Sequence, residues 1–150
     1  MKHRVLALTI MTGVLGAAHA QDYPSRPIRL IAPFAAGSTV DILARALAQP
    51  LSRQLGQRVV VENKAGAGGN IGVDMVAKAP KDGYTIGIGT TGPMTVNPAL
   101  YGSKMPFDTR KDLAMVGVIA SSPNVLLVHP SVPARNLQEL IAHARAHPGK

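Results

Sequence analysis

The sequence predicts an α/β fold, a mostly parallel sheet flanked by helices, and three observations predict it. A short apolar run, a loop of small residues and a helix-patterned stretch follow one another three times between Ile28 and Leu100. The runs are brief and nearly unbroken, as suits strands covered on both faces. Hydrophobic residues make up 46% of the 150-residue chain and charged ones 16%, a balance that can bury a core and excludes a disordered tail. Strands alternating with helices imply right-handed crossovers within one sheet.

Ahead of these units stands a basic start, Met1-Lys2-His3-Arg4, then an apolar run from Val5 to Leu15 and the small-x-small site Ala18-His19-Ala20. This combination reads as a secretory signal cleaved after Ala20, too short and wrongly flanked for a membrane span. Export to the periplasm is the expectation, with mature protein starting at Gln21. The chain has no Cys, which excludes a disulfide framework, a thiolate zinc site and a cysteine nucleophile. With two Phe, three Tyr and no Trp, it lacks the stacking platforms that hold single-stranded nucleic acid. Of the formal net charge of +8, Lys2 and Arg4 belong to the signal, and the remaining excess is spread through the mature chain with no run of Lys or Arg longer than Arg110-Lys111, so no nucleic-acid partner is expected.

In the first unit, Ile28 to Ala32 is the strand and Pro33 to Thr39 the turn-prone loop. Asp41 to Leu55 is the helix, with Leu43, Leu47 and Leu51 in one row beside Ile42, Ala46 and Leu55. Gly56 sits where a glycine ends a helix. Pro50 conflicts with a straight helix and predicts a kink or restart, since an interior proline loses a hydrogen bond. In the second unit Val59 to Val61 is the strand, Asn63 to Gly69 a glycine loop, and Asn70 to Ala79 a helix facing inward through Ile71, Met75 and Val76. The turn Pro80-Lys81-Asp82-Gly83 leads to a third strand, Thr85 to Gly89, then Thr90-Thr91-Gly92-Pro93 and a helical stretch near Val96 to Leu100.

Beyond lies a polar loop, Tyr101 to Asp112, and two apolar runs, Ala114 to Ala120 and Asn124 to His129, parted by Ser121-Ser122-Pro123. The last helix is announced by Asn136 as N-cap and Glu139 three residues on, with Leu137, Leu140, Ile141 and Ala144 as its buried stripe. Pro148-Gly149 stops it.

Ligands of parallel sheets bind where the loops gather at the carboxyl ends of the strands. Here those loops are Phe34 to Asp41, Asn63 to Asn70 and Thr90 to Pro93. Small side chains let main-chain N–H groups face a bound group, and helix starts favour an anion. The Ser38, Thr39, Thr90 and Thr91 hydroxyls add donors. Two readings fit: a carboxylate site made of neutral dipoles, or ordinary turns that need Gly and Thr anyway. Asp41, the one carboxylate in these loops, suits capping or loop orientation better than base catalysis, having no partner for proton transfer. Gly66-Ala67-Gly68-Gly69-Asn70-Ile71-Gly72 fails the dinucleotide fingerprint, because Ile71 occupies the third glycine's place and the acidic ribose partner is missing. Glu139, His143 and His147 share a helix face that can hold a metal but reads more simply as a solvated face. No serine stands on a nucleophile elbow.

Pro33-Phe34-Ala35-Ala36-Gly37-Ser38-Thr39-Val40-Asp41-Ile42-Leu43-Ala44-Arg45 resembles the first ligand loop of the tripartite tricarboxylate transporter receptors, the Bug-type solute-binding proteins. Val59 to Gly72 is similar to that family's most diagnostic stretch. Asp82-Gly83-Tyr84-Thr85, Asn97-Pro98-Ala99-Leu100-Tyr101 and Val128-His129-Pro130-Ser131-Val132-Pro133 follow in the family's order. The resemblance runs from about Tyr23 to Lys150.

It implies a periplasmic-binding-protein-like lobe of type II, one of two that close on a small carboxylic acid. The protein is then a non-enzymatic, monomeric receptor without a cofactor, outside the membrane, which hands the acid to permease subunits of a tripartite transporter. Candidate ligand-binding residues are Phe34, Ala36, Gly37, Ser38, Thr39 and Asp41, with Asn63, Gly68, Gly69, Thr90 and Thr91 beside them. Family members often carry a second glycine where Ser38 stands and threonine where Val40 stands. They are also about twice as long. The expected organisation is therefore a signal over residues 1–20, an incomplete first lobe over 21–123, and over 124–150 a crossover strand and helix leading to a second lobe that is largely missing. Without a second wall, these residues should bind carboxylates weakly or not at all. The rival readings are a nucleotide-cofactor enzyme domain and a non-functional remnant of a longer receptor.

Overall fold

A computed structural model of the chain describes residues 23–149. The signal segment and its cleavage site lie outside them. The described chain divides at Val116–Gly117 into two units, each taken by itself.

The first unit is built on three parallel strands, β1 (Ile28–Ala32), β2 (Val59–Asn63) and β3 (Thr85–Gly87), in the order β2-β1-β3. Ile28 is level with Val59, Leu30 with Val61 and Ile86, and Ala32 with Asn63. β1 is central, and its Ile28, Leu30 and Ile31 are all but sealed from solvent. Each such side chain contributes about 1.5–3 kcal/mol of apolar burial. The strands are those the apolar runs predicted, with β2 extended to Asn63 and β3 ending at Gly87.

Helix α1 (Thr39–Leu55) joins β1 to β2, and α2 (Asn70–Ala77) joins β2 to β3. Since the first connection steps to one side of β1 and the second to the other, right-handed crossovers put the helices on opposite faces. The side chains agree. Ile28, Leu30 and Ala32 pack with Ala44 and Ala48 of α1, while Arg29 reaches Met75 of α2 and Gly87 lies under Val76.

The predicted faces hold in part: Leu51 of α1 and Met75 and Val76 of α2 meet the sheet, but smaller residues lie deepest. In α1 the buried positions are Asp41, Ala44 and Ala48, with Val40 and Leu51 packed alongside. Leu43 and Leu47 are half-buried at its flanks, and Ile42 is exposed. Small residues face the sheet because they let the helix lie close to it. In α2 the inward residues are Asn70, Gly72 and Val73, whereas Ile71 is exposed. A Cβ on Gly72 would lie 2.7 Å from Pro33 and 2.9 Å from the Lys64 carbonyl, so only glycine allows this approach.

α1 does not restart at Pro50; it runs as one helix to Gly56 at φ +67°. Contacts on both sides hold it: Ala48 and Leu51 pack on the sheet. The Ser52 hydroxyl also donates to the Ala48 carbonyl at 2.7 Å and accepts from the Val59 amide at 2.9 Å, tying the helix end to β2. After β3 comes a widened turn, Gly92–Val96, and then helix α3 (Asn97–Tyr101).

Of the second unit's described residues, one stretch is regular, helix α4 (Leu137–Ala146). Its start follows the capping pattern. Asn136 Oδ1 accepts from the Glu139 amide at 3.0 Å, and Glu139 Oε2 accepts from the Arg135 amide at 2.7 Å. The stripe Leu137, Leu140, Ile141 and Ala144 is not buried: Leu140 is half-covered and the other three are exposed. The apolar runs Ala114 to Ala120 and Asn124 to His129 form no strand. A strand needs a ladder partner for its N–H and C=O groups, and among the described residues none pairs with either run. Leu127 is accordingly 82% exposed.

Candidate functional site

The strand order fixes where a site can lie. The connections step first to one side of β1 and then to the other, so the crevice expected of such sheets opens at the carboxyl ends of β1 and β3. The loops after the three strands meet there. Gly69 of the second loop is buried against the other two: a Cβ on it would come within 3.2 Å of the Phe34 ring and 3.3 Å of Pro93. Gly92 lies against the Gly68 carbonyl, and Gly68 beside the Asn97 side chain.

Asp41 organises the first loop. It is 4% exposed. One of its oxygens accepts the Gly37 amide at 2.8 Å and Arg45 Nε at 3.1 Å; the other accepts Asn63 Nδ2 at 3.0 Å and the Arg45 guanidinium at 3.0 Å. Asn63 Nδ2 also donates to the Phe34 carbonyl at 3.1 Å, and Arg45 reaches Asn63 Oδ1 at 3.3 Å. The hydrogen bond from Arg45, reinforced by those from the Gly37 amide and Asn63, pulls the Asp41 carboxyl down to about 2. Gly37 adopts φ +80°, a conformation that suits glycine and turns its amide back toward Asp41.

Asp41 thus orients the loop, one of the two roles its sequence position allowed, while Ser38 takes the cap. Ser38 Oγ accepts from the Asp41 amide at 3.3 Å. The Gly37 amide is consequently engaged inside the protein, as is that of Gly69, which donates to the Gly66 carbonyl at 2.9 Å. Among the described residues, no acceptor takes the Thr39 or Val40 amides, which open α1. Ala36 and Thr39 are exposed beside them, with Gly68 and Thr91 exposed on the facing loops and Thr90 half-buried.

The structure therefore brings all three loops together and separates their members into two groups. Asp41, Asn63 and the amides of Gly37 and Gly69 hold the loops, while Ala36, Thr39, Gly68 and Thr91 are exposed, as is Gly37 apart from its engaged amide, and Thr90 is half-buried. Two contributors escaped sequence reasoning. Arg45 stands one turn after Asp41, an i, i+4 pairing that was visible. Asn97 donates to Asn70 Oδ1 at 2.7 Å and clamps the third loop to the buried start of α2; no local signal announces a contact between residues so far apart. A groove of about 380 Å³ beside Asn70, Asp74 and Tyr101 lies next to this clamp. Among the described residues no group of three His, Asp or Glu side chains can hold a metal. No helix among them is long and apolar enough to cross a membrane.

Fold and loops together define an α/β lobe of the periplasmic-binding-protein kind. Comparison with known proteins makes the assignment definite. The family model of the tripartite tricarboxylate transporter family receptor matches residues 43–150, and the chain belongs to that family. It is 42% identical over 149 residues to a UPF0065 protein of Bordetella pertussis, covering 98% of this chain and 45% of that protein. Protein BugT of the same organism is 40% identical, with 97% and 45% covered. Among solved structures, Rpa4515 of R. palustris with adipate is 43% identical at a TM-score of 0.75, covering 85% of this chain and 42% of that one. MatC of Rhodopseudomonas palustris with bound malate is 30% identical at a TM-score of 0.74, covering 83% and 42%. The chain thus spans less than half the length of these relatives.

Proposed function

We propose that this chain supplies one wall of a periplasmic receptor that binds a small carboxylate and presents it to a tripartite permease. The observation that carries the reading is the set of unbonded main-chain amides at the start of α1, placed where three loops converge, with Arg45 already engaged by Asp41. Such donors, aligned with a helix dipole, favour a carboxylate without a cationic clamp. Two similar proteins whose structures hold adipate and malate support the ligand class. On this reading residues 21–123 form the first lobe, 124–150 lead toward a second, export removes the first twenty residues, and the receptor acts as a monomer without catalysis or cofactor.

Amide chemical shifts of the chain, followed during titration with adipate and with malate, test the proposal. The expected result is weak, millimolar binding that moves the signals of residues 36–40 and 90–91 and is not reproduced by reduced nicotinamide cofactor. Shifts caused by the nicotinamide cofactor at these loops, or no response to either acid, overturn it.

A further inference from the structure

We infer that Asp41 and Asn63 are positioning residues that withdraw the Gly37 amide from the ligand-facing surface and thereby leave Thr39 and Val40 as the donors offered there. The inference deepens the proposed carboxylate reading and rests on it for the identity of the ligand. Its basis is geometric. Four donors converge on the Asp41 carboxylate: the Gly37 amide, Asn63 Nδ2 and two nitrogens of Arg45. A carboxylate accepts all four and donates none. Asn63 then fixes the other side of the turn by donating to the Phe34 carbonyl as well. With the chain pinned at Phe34 and Gly37, Ala35 to Ser38 form a tight turn centred on Ala36 and Gly37 and closed by the Ser38 amide on the Ala35 carbonyl at 3.2 Å. The buried negative charge is matched by Arg45, so it does not repel an incoming anion as an unpaired aspartate would.

This assignment makes an isosteric change disruptive. Asp41→Asn has one acceptor oxygen and one donor amide, and donors approach both positions. Exchanging the two residues, Asp41→Asn with Asn63→Asp, restores complementarity. The new asparagine accepts from Gly37 and donates to the new aspartate, although a carboxylate oxygen then faces the Phe34 carbonyl in place of a donor.

The experiment follows hydrogen exchange of the Gly37 amide in the 150-residue chain, referenced to the core amides of Ile28 and Leu30, with and without adipate. In the natural sequence Gly37 should be protected at least tenfold over an exposed amide, and adipate should shift Thr39 and Val40 more than Gly37. Asp41→Asn should lose that protection while the core amides keep theirs, and the exchanged pair should regain most of it. A merely structural role would move core and loop amides together and show no rescue. An unprotected Gly37 in the natural sequence, or protection unchanged in Asp41→Asn, overturns the inference. If neither adipate nor malate shifts any loop amide, the carboxylate reading falls, while Gly37 protection and its rescue still decide the positioning role.

Discussion

Two apolar segments of similar composition meet opposite fates in this molecule. Ile28 to Ala32 is sealed at the centre of a sheet, whereas Asn124 to His129, with four apolar residues in succession, is open to solvent throughout. The difference is partnership. β1 has β2 and β3 to complete its hydrogen bonds and helices on both faces, while no described residue pairs with the later run. Apolar character selects residues able to form a buried strand; ladder partners decide whether they do.

The strongest way to break this comparison is truncation within each segment. Ile31→Ala should destabilise the first unit by about 2–5 kcal/mol, the usual cost of emptying a packed position. Leu127→Ala should change the melting temperature by no more than an exposed substitution does, within about 0.5 kcal/mol. Equal effects from the two would show that the second run is packed after all.

Acid should separate the regions next. The folded Asp41 carboxyl is held at about 2, below its ordinary 3.8, so its contribution is present above pH 4 and lost as pH falls toward 2. Melting of the first unit, monitored between those limits, should show a decline that Asp41→Asn makes shallower. Glu62, lowered by its paired hydrogen bonds with Arg29, adds to the same trend in both proteins. The smallest effect belongs to α4. Asn136→Ala should destabilise that helix by about 1 kcal/mol, read from carbon chemical shifts of residues 137–146. Ile28 and Leu30 amide protection should stay unchanged.

What the sequence discloses follows the same division. β1 is read to the residue, and Gly56 and Asn136 end and begin helices as their local chemistry requires. That three loops gather at one end of the sheet was legible because strand, small loop and helix recur in order. Their internal bonding was not. That Gly37 gives its amide to Asp41 depends on how α1 is held against β2 through Asn63, a contact between residues 22 positions apart. The inward faces of α1 and α2 were legible only in part, since the large apolar residues suggest one stripe while close approach to the sheet selects Ala44, Ala48 and Gly72 as its deepest members.

The methyl groups of Ala44 and Ala48 carry a consequence for how such a receptor can diversify. They act as spacers that set the height of α1 above the strands, and the same rod carries Ser38 and Asp41 at its tip. Close-packed interiors transmit small volume changes instead of absorbing them. Adding a methylene at Ala48, almost three turns from the tip, would tilt the rod and re-aim its leading amides with no substitution in any loop. On the proposed reading, ligand preference is adjustable from beneath.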